Sequence, residues 1–249
     1  MQCALVTDFA EPYDHWFDLV VTPAHAAAIP AGVTTLRRVS TDGPDKVGQL
    51  NFLYDSGWTV PRFGPVSLLA ASLRERMRGW GGVALGVGVH TMDDPSARHL
   101  DEIIAVVVHD DVTAHGGEGK RLCTLAEAMQ TPDAFAVEYL APQTPGIAWS
   151  RRILLAGRRA LVFDYASPTD WRSNVGDVQV RYAGSIDIST WSDRARYPAL
   201  CAIDFVWRYG WTAIDYNVAP GVRHSGLASV IAYRDFVRGI VDYLEEEHL

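Results

Sequence analysis

The sequence has few cysteines, no long apolar run and no excess of basic charge. Its three cysteines, Cys3, Cys123 and Cys201, have no metal-ligand spacing, so we expect reduced thiols in a cytoplasmic protein. No apolar stretch is long enough to span a bilayer, and the start, MQCALVTDFAEPYDHW, lacks the basic region of a signal peptide. A net charge of −8 argues against a sequence-independent nucleic-acid partner and against binding to an anionic membrane surface.

What is present is typical of a folded globular protein. The chain has 249 residues, 48% of them hydrophobic and 21% charged, which allows one large domain or two to three small ones. Residues 1–43 combine three short strand patterns with an alanine-rich linker, and this indicates a small αβ unit. The remaining chain has both helix-type and strand-type hydrophobic patterns, so the predicted fold class is α/β (α+β).

Hydrophobic spacing predicts the main elements after residue 44. The second predicted helix has an expected apolar face of Leu68, Leu69, Ala71, Leu73 and Met77. The glycine-rich run at residues 79–88 is predicted to be a turn followed by a buried strand. Predicted helices begin at Asp45 and cover 65–78, 122–129 and 230–244. Predicted strands cover 103–108, 135–140, 151–156, 160–165, 202–207 and 212–216.

The last two of these strands carry the most informative polar residues. Asp204 and Asp215 each interrupt an apolar run, and Asn217 follows Asp215 by two residues, which in a strand is the same face. If the strands pair through the turn at Tyr209 and Gly210, the three side chains converge. Two carboxylates and an amide oxygen suit Mg²⁺ with phosphate oxygens in the remaining positions. The alternative is that both acids are ordinary residues near a turn, although unpaired acids inside apolar runs are costly to bury.

Other segments are suited to binding an anion. In the loop TAHGGEGK, the glycines Gly116, Gly117 and Gly119 let backbone amides come close to an anion, and Lys120 adds a cation. Arg172 and Asn174 combine a guanidinium with an amide in a polar loop, as anion clamps do. Each pattern is weak by itself, because glycine-rich hairpin tips and solvated arginines are common.

The order of the motifs resembles the ATP-grasp superfamily, and within it the RimK-like amino-acid and peptide ligases. The likeness runs from about Asp45 to the C-terminus and rests on four blocks. These blocks are Asp45-Lys46 with the later GWTVP, the strand AVEYL at 136–140, DWRSN at 170–174, and AIDF at 202–205 with IDYNVAPG at 214–221. Any one of them alone would be unspecific, but together they occur in the family's order.

The resemblance implies an ATP-grasp fold in which two α+β subdomains clasp Mg-ATP. It predicts a short pre-grasp unit at 1–43, a small subdomain with a lid at 44–132, and a C-terminal subdomain with the metal site at 133–249. It implies ATP-dependent joining of a carboxylate to an amine through an acyl-phosphate. The substrates would be small molecules or peptides, without nucleic acid or membrane partners, and a homo-oligomer is compatible with the family.

The resemblance also assigns roles to individual residues. Asp204, Asp215 and Asn217 would hold Mg²⁺, and Arg152 and Arg172 would act on the transferred phosphoryl group. The residues assigned to the nucleotide are Lys46, His109, Gly117, Gly119, Lys120, Glu138, Tyr139, Leu140 and Asn174.

The sequence departs from the family pattern at several points. His109 stands where a lysine is usual, and a histidine is not a fixed cation at pH 7. Asp215 is one methylene shorter than the usual glutamate, and the N-terminal unit is short. Two alternatives therefore stay open: a non-catalytic or altered ATP-binding module of the same fold, and an unrelated α/β metallohydrolase that uses the same acids.

Overall fold

The computed structural model describes residues 3–6, 19–21, 31, 34–37, 44–81, 101–113, 119–208, 210–218, 220 and 227–247. The chain divides into two compact units, one of residues 44–141 and the other of residues 1–43 together with 142–249. The predicted division into three parts at residues 43 and 132 stays a prediction. No helix among the described residues is both long and apolar enough to cross a membrane.

The N-terminal segment contributes a small parallel sheet. Its strands are β1 (Cys3–Val6), β2 (Leu19–Val21) and β3 (Thr34–Arg37), in the order β2-β1-β3. The central strand pairs in parallel with both neighbours. The αβ character predicted for residues 1–43 stays a prediction.

The unit of residues 44–141 is a four-stranded antiparallel sheet with helices. Its sheet order is β4-β7-β5-β6. The elements are α1 (Lys46–Asp55), β4 (Phe63–Pro65), α2 (Val66–Gly81), β5 (Ala105–His109), β6 (Lys120–Thr124), α3 (Leu125–Ala128) and β7 (Phe135–Glu138). Helix α1 begins where the Asp45 carboxylate accepts a bond from the Gly48 amide at 2.8 Å, as an N-cap does.

Three predictions in this unit were wrong in detail. Among the described side chains of α2, Val66, Leu69, Ala70 and Leu73 are buried, whereas the predicted face residues Leu68 and Ala71 are exposed. Residues 79–81 continue α2 instead of forming a turn. The predicted helix 122–129 is strand β6 followed by the short helix α3, because Thr124 and Glu127 form a capping box that begins the helix at Leu125.

The second unit contains a larger antiparallel sheet in the order β10-β9-β8-β11-β12. Its elements are β8 (Ala148–Ala156), β9 (Arg159–Ser167), β10 (Gln179–Asp187), β11 (Leu200–Trp207), β12 (Trp211–Asn217) and helix α4 (Tyr233–Glu247). Two 3₁₀ turns, Arg194–Arg196 and Leu227–Ser229, lie between them. Both predicted hairpins are present, whereas β10 was not predicted.

One face of this sheet forms a core with helix α4. Leu154, Leu161 and Phe163 of the sheet are buried in one cluster with Phe236 and Ile240 of the helix. Alternate residues of a strand face the same side, so the polar residues Arg152 and Asp204 extend the face that carries Leu154 and Ala202. The metal candidates therefore lie on a sheet whose framework is set by this apolar core.

A buried arginine ties the hairpin turn between β8 and β9 to the chain before β11. Arg194 is 4% exposed and donates to the carbonyl oxygens of Gly157, Tyr197 and Ala199 at 2.7, 2.8 and 3.1 Å. Its guanidinium lies 4.3 Å from the ring centroid of Tyr243 in α4. Three carbonyl acceptors and an aromatic face make Arg194 a structural cross-link.

Gly157 is the position in this turn where a side chain is least tolerable. Its φ is +58°, and an added Cβ would collide with the Gly239 carbonyl oxygen of α4. We expect Gly157→Ala to lower the free energy of unfolding by about 2–5 kcal/mol, from left-handed backbone strain and overpacking together. Urea denaturation measures this loss.

Gly146→Ala is the matched control, because Gly146 has φ +78° but no atom within 4 Å of an added Cβ. We expect it to cost only about 1–2 kcal/mol. Equal losses in the two variants would contradict the packing argument.

Candidate functional site

The two aspartates of the predicted metal site face each other across neighbouring strands. Asp204 of β11 pairs directly with Asp215 of β12, and Ala202 pairs with Asn217. A bulge after Asp204 shifts the register only beyond this pair. Directly opposed residues project from the same face, so Asp204 and Asp215 lie side by side. The Asn217 amide donates to Asp215 Oδ2 at 3.0 Å, which brings the third candidate ligand to the same place.

Arg152 holds both oxygens of Asp204. It lies opposite Asp204 on β8 and donates from Nε to Oδ1 and from Nη2 to Oδ2, both at 2.7 Å. Asp204 is 8% exposed, and the Arg152 guanidinium lies 5.2 Å from the Tyr165 ring centroid. Burial on its own would lower the pKa of Arg152, but the Asp204 carboxylate, with Tyr165 and Asp215 nearby, raises it above its ordinary value.

These side chains offer the donors that Mg²⁺ prefers. No group of three or more His, Cys, Asp or Glu side chains suited to a metal occurs among the described residues, since this candidate has two carboxylates and one amide. Carboxylate and amide oxygens from Asp204, Asp215 and Asn217 fit a hard cation that takes its remaining ligands from phosphate and water. A carboxylate has about four acceptor positions, and the Arg152 pair occupies one on each oxygen of Asp204.

The loop after β9 is held rigidly and carries Arg172 and Asn174. The Ser173 hydroxyl lies 2.5 Å from that of Ser150 on β8, and Ser167 donates to the Val175 carbonyl at 2.6 Å. Arg172 donates to Asp170 from Nε at 2.9 Å and from Nη2 at 3.0 Å, and Asn174 is exposed. These bonds hold the pKa of Asp170 below its ordinary value and raise that of Arg172. Arg172 is thus positioned as a fixed cation.

In the unit of residues 44–141, Lys46 is the first residue of α1. It is 8% exposed, and its backbone amide donates to the Val112 carbonyl at 3.0 Å. The N-terminus of a helix carries partial positive charge, so a lysine there adds to an electropositive position. Position and charge agree with the predicted contact of Lys46 with phosphate, which stays a prediction.

The predicted anion loop is described only in part. His109 ends β5 and pairs with Lys120 at the start of β6. His109 is 5% exposed, and its ring lies edge-on to Phe135 with centroids 5.5 Å apart. Gly119 has φ +61° and its carbonyl accepts from the Asp110 amide at 2.8 Å. Gly117 lies outside the described residues.

The predicted nucleotide strand belongs to the sheet of residues 44–141. Glu138 ends β7, is 8% exposed and forms an ion pair with Arg76 of α2. Its backbone amide donates to the Arg62 carbonyl at 2.8 Å. The Tyr139 amide donates to the Ala105 carbonyl at 3.1 Å, and burial raises the pKa of the Tyr139 phenol. Leu140 follows as a half-buried residue.

Several residues that support these groups were not predicted. Tyr165 lies beside the Arg152 guanidinium, Ser150 anchors the loop of Arg172, and Arg76 pairs with Glu138. Ser150 is separated by 23 residues from its partner and Arg76 by 62 residues from Glu138. Only the position of Tyr165 could have been inferred from the sequence, because the predicted hairpin of β8 and β9 already placed it near Arg152.

Comparisons with known proteins bear on the fold. No protein-family model matches the sequence, and no curated protein matches it significantly. Solved structures do match, and those described below share 12 to 13% sequence identity with the chain. The D-alanine–D-alanine ligase of Bacillus anthracis has a TM-score of 0.52 and 12% identity over 100% of both chains. D-alanyl-alanine synthetase A of Vibrio cholerae has a TM-score of 0.50 and 12% identity over 86% of this chain and 70% of its own.

A further match is the ATP-grasp ligase PsnB, solved with a phosphomimetic variant of its minimal precursor, Mg and ADP. Its TM-score is 0.49 and its identity 13%, over 86% of this chain. The chain spans 64% of the length of PsnB.

These observations define the class of the chain. Its described residues form two antiparallel sheets, a small parallel sheet and few helices, and it shares its fold with ATP-grasp proteins. The chain therefore has the ATP-grasp fold, and the predicted fold class is confirmed. The RimK-like branch stays a prediction.

The ion pair between Arg152 and Asp204 leads to a prediction about stability. Asp204→Asn leaves the buried Arg152 guanidinium without its carboxylate, so we expect the free energy of unfolding to fall by about 3–5 kcal/mol. Asp215→Asn keeps a polar group beside Asn217 and removes a like charge opposite Asp204, so we expect a change within about 1 kcal/mol. Thermal unfolding followed by circular dichroism compares the variants, and similar losses in both would contradict the assigned pairing.

Proposed function

We propose that the chain is an ATP-dependent carboxylate–amine ligase that forms an amide or peptide bond through an acyl-phosphate. One observation carries the proposal: in an ATP-grasp fold, Asp204 and Asp215 lie opposite each other with Asn217 beside them. A carboxylate oxygen would attack the γ-phosphorus of ATP and ADP would leave. The amine nitrogen would then attack the acyl carbon and phosphate would leave.

Different residues of the chain would have different roles in this reaction. Asp204, Asp215 and Asn217 would hold Mg²⁺, which when bound to ATP neutralises charge on the phosphate oxygens. Arg152 and Arg172 would stabilise the charge of the transferred phosphoryl group. Phosphate binding is assigned to Lys46, His109, Gly117, Gly119, Lys120 and Asn174, and adenine and ribose binding to Glu138, Tyr139 and Leu140.

The substrate class follows from the proposed reaction. One substrate must offer a carboxylate and the other an amine, as free amino acids, small molecules or peptides do. The Bacillus anthracis match is named for the ligation of D-alanine, and PsnB was solved with a precursor. We place the chain in the RimK-like branch on its sequence motifs, as a cytoplasmic enzyme that is able to form homo-oligomers.

Trapping the acyl-phosphate tests the reaction class without knowledge of the amine. The chain is incubated with Mg-ATP, hydroxylamine and a panel of amino acids and peptides, and hydroxamate and phosphate are measured. We expect hydroxamate only where a carboxylate substrate is present, together with one phosphate per hydroxamate. Phosphate release that does not depend on any carboxylate would contradict a ligase.

Substitutions in both units test the assigned residues. Lys46→Met and Glu138→Gln should each weaken ATP binding in calorimetry by at least about tenfold, since they remove a cation and a charged acceptor. Asp215→Asn should abolish hydroxamate formation while the unfolding temperature stays close to wild type. Arg158→Gln is the control, because Arg158 pairs with Glu246 on the exposed surface and is assigned no role. Unchanged ATP affinity in both binding variants would argue for the metallohydrolase alternative.

A second candidate function is a non-catalytic or altered ATP-binding module of the same fold. The observation that favours it is the engagement of both Asp204 oxygens by Arg152, together with His109 in place of a fixed cation. This candidate predicts that Mg-ATP binds with the same dependence on Lys46 and Glu138. It predicts neither hydroxamate nor phosphate with any member of the panel.

A further inference from the structure

Two carboxylates placed opposite each other need a positive charge beside them. Directly opposed like charges destabilise a pair of strands, and the cost rises where water is partly excluded. Asp204 and Asp215 are such a pair on β11 and β12. Among the described residues, the Arg152 guanidinium lies beside them, bound through two 2.7 Å bonds to Asp204.

We propose that Arg152 excludes free divalent metal from Asp204, and that it leaves this carboxylate when the phosphates of a nucleotide offer the guanidinium a replacement anion. The inference rests on the proposed nucleotide-binding function and concerns the order in which the site fills. It makes Arg152 a specificity-determining residue, which selects the metal–nucleotide complex over the metal alone.

The competition between the two cations follows from their chemistry. A free Mg²⁺ ion dehydrates reluctantly and usually binds proteins through one or two carboxylates together with substrate phosphates. To reach both oxygens of Asp204 it would have to displace a buried guanidinium from the two hydrogen bonds that hold it there. A nucleotide removes this obstacle, because guanidinium groups bind phosphate in the same forked geometry as carboxylate.

The neighbouring arginine provides a matched comparison. Arg151 is on the same strand and faces the other side of the sheet, where it binds Asp164 through Nε at 2.7 Å and Nη2 at 3.1 Å. Asp164 also accepts from Arg181 at 2.7 Å, so this acid has two cations and lies opposite no second acid. Removing Arg151 should therefore leave the metal affinity of Asp204 unchanged.

Metal binding by the nucleotide-free chain is the first test. Mn²⁺ is titrated into wild type, Arg152→Gln, Arg151→Gln and the double variant Arg152→Gln with Asp204→Asn, and free Mn²⁺ is measured by electron paramagnetic resonance. We expect Arg152→Gln to bind Mn²⁺ at least about tenfold more tightly than wild type, because a competing positive charge is gone. We expect no gain in the other two variants. Equal Mn²⁺ affinity in wild type and Arg152→Gln, or a gain in Arg151→Gln, would overturn the proposal.

A second measurement uses the wild-type chain and does not depend on the folding of Arg152→Gln. The ¹⁵N–¹H signal of the Arg152 Nε, assigned with Arg152→Lys, is followed during titration with Mg²⁺ alone and then with Mg²⁺ and a non-hydrolysable ATP analogue. We expect no shift with Mg²⁺ alone and a clear shift with the analogue, while the Arg151 signal stays in place. A shift with Mg²⁺ alone, or none while calorimetry shows that the analogue binds, would overturn the proposal.

The outcomes separate this inference from the ligase proposal. The Mn²⁺ titration involves neither nucleotide nor turnover, so a chain that forms no hydroxamate still tests the role of Arg152. Conversely, the wild-type chain could form hydroxamate while Arg152→Gln binds Mn²⁺ no more tightly than wild type. That result would support the ligase proposal and overturn the inference. Absence of any binding of the analogue to the wild-type chain would overturn both.

Discussion

The repulsion between Asp204 and Asp215 is the constraint on which the candidate site depends. Their direct pairing fixes two negative charges on one face of the larger sheet. Such a pair is stable in a partly buried position only with a cation beside it. Arg152 supplies that cation on the adjacent strand, and a nucleotide-bound metal would supply a stronger one. Under the proposed function both carboxylates would hold the metal, which gives a reason for an otherwise expensive arrangement in a strand pair.

The surrounding structure keeps this arrangement in place without contributing to its charge. Leu154 and Ala202 lie on the same sheet face and pack in the core with α4, which fixes the register of β8 and β11. Arg194 joins the β8–β9 turn to the chain before β11 through three carbonyl oxygens. Because these contacts hold the strands together, the backbone of Arg152 stays in register with that of Asp204 and, across β11, with that of Asp215. Preorganisation of this kind is what electrostatic stabilisation of a phosphoryl group requires.

Much of the larger sheet could be predicted because its signals are local. Gly157 and Gly210 mark turns between alternating apolar runs, and the positions of Asp204, Asp215 and Asn217 on paired strands follow from a period of two. Strand β10 was missed because its residues are mostly exposed and a bulge at Tyr182 breaks its alternation. The helix predicted over 122–129 failed for another reason. Its first residues pair with β5, and this tertiary pairing decided their structure over local pattern.

The partners of the candidate site residues could not be predicted, because they depend on contacts between distant positions. The local sequence does not show which of the adjacent arginines, Arg151 or Arg152, binds Asp204, because β9 and β11 each carry an acid. The alternation of strand faces decides it: Arg152 shares a face with Asp204, and Arg151 shares the opposite face with Asp164. A one-residue slip of β8 would turn Arg152 to the other face of the sheet, away from the opposed aspartates. The register of this strand is therefore as much a determinant of the proposed chemistry as the identity of its residues.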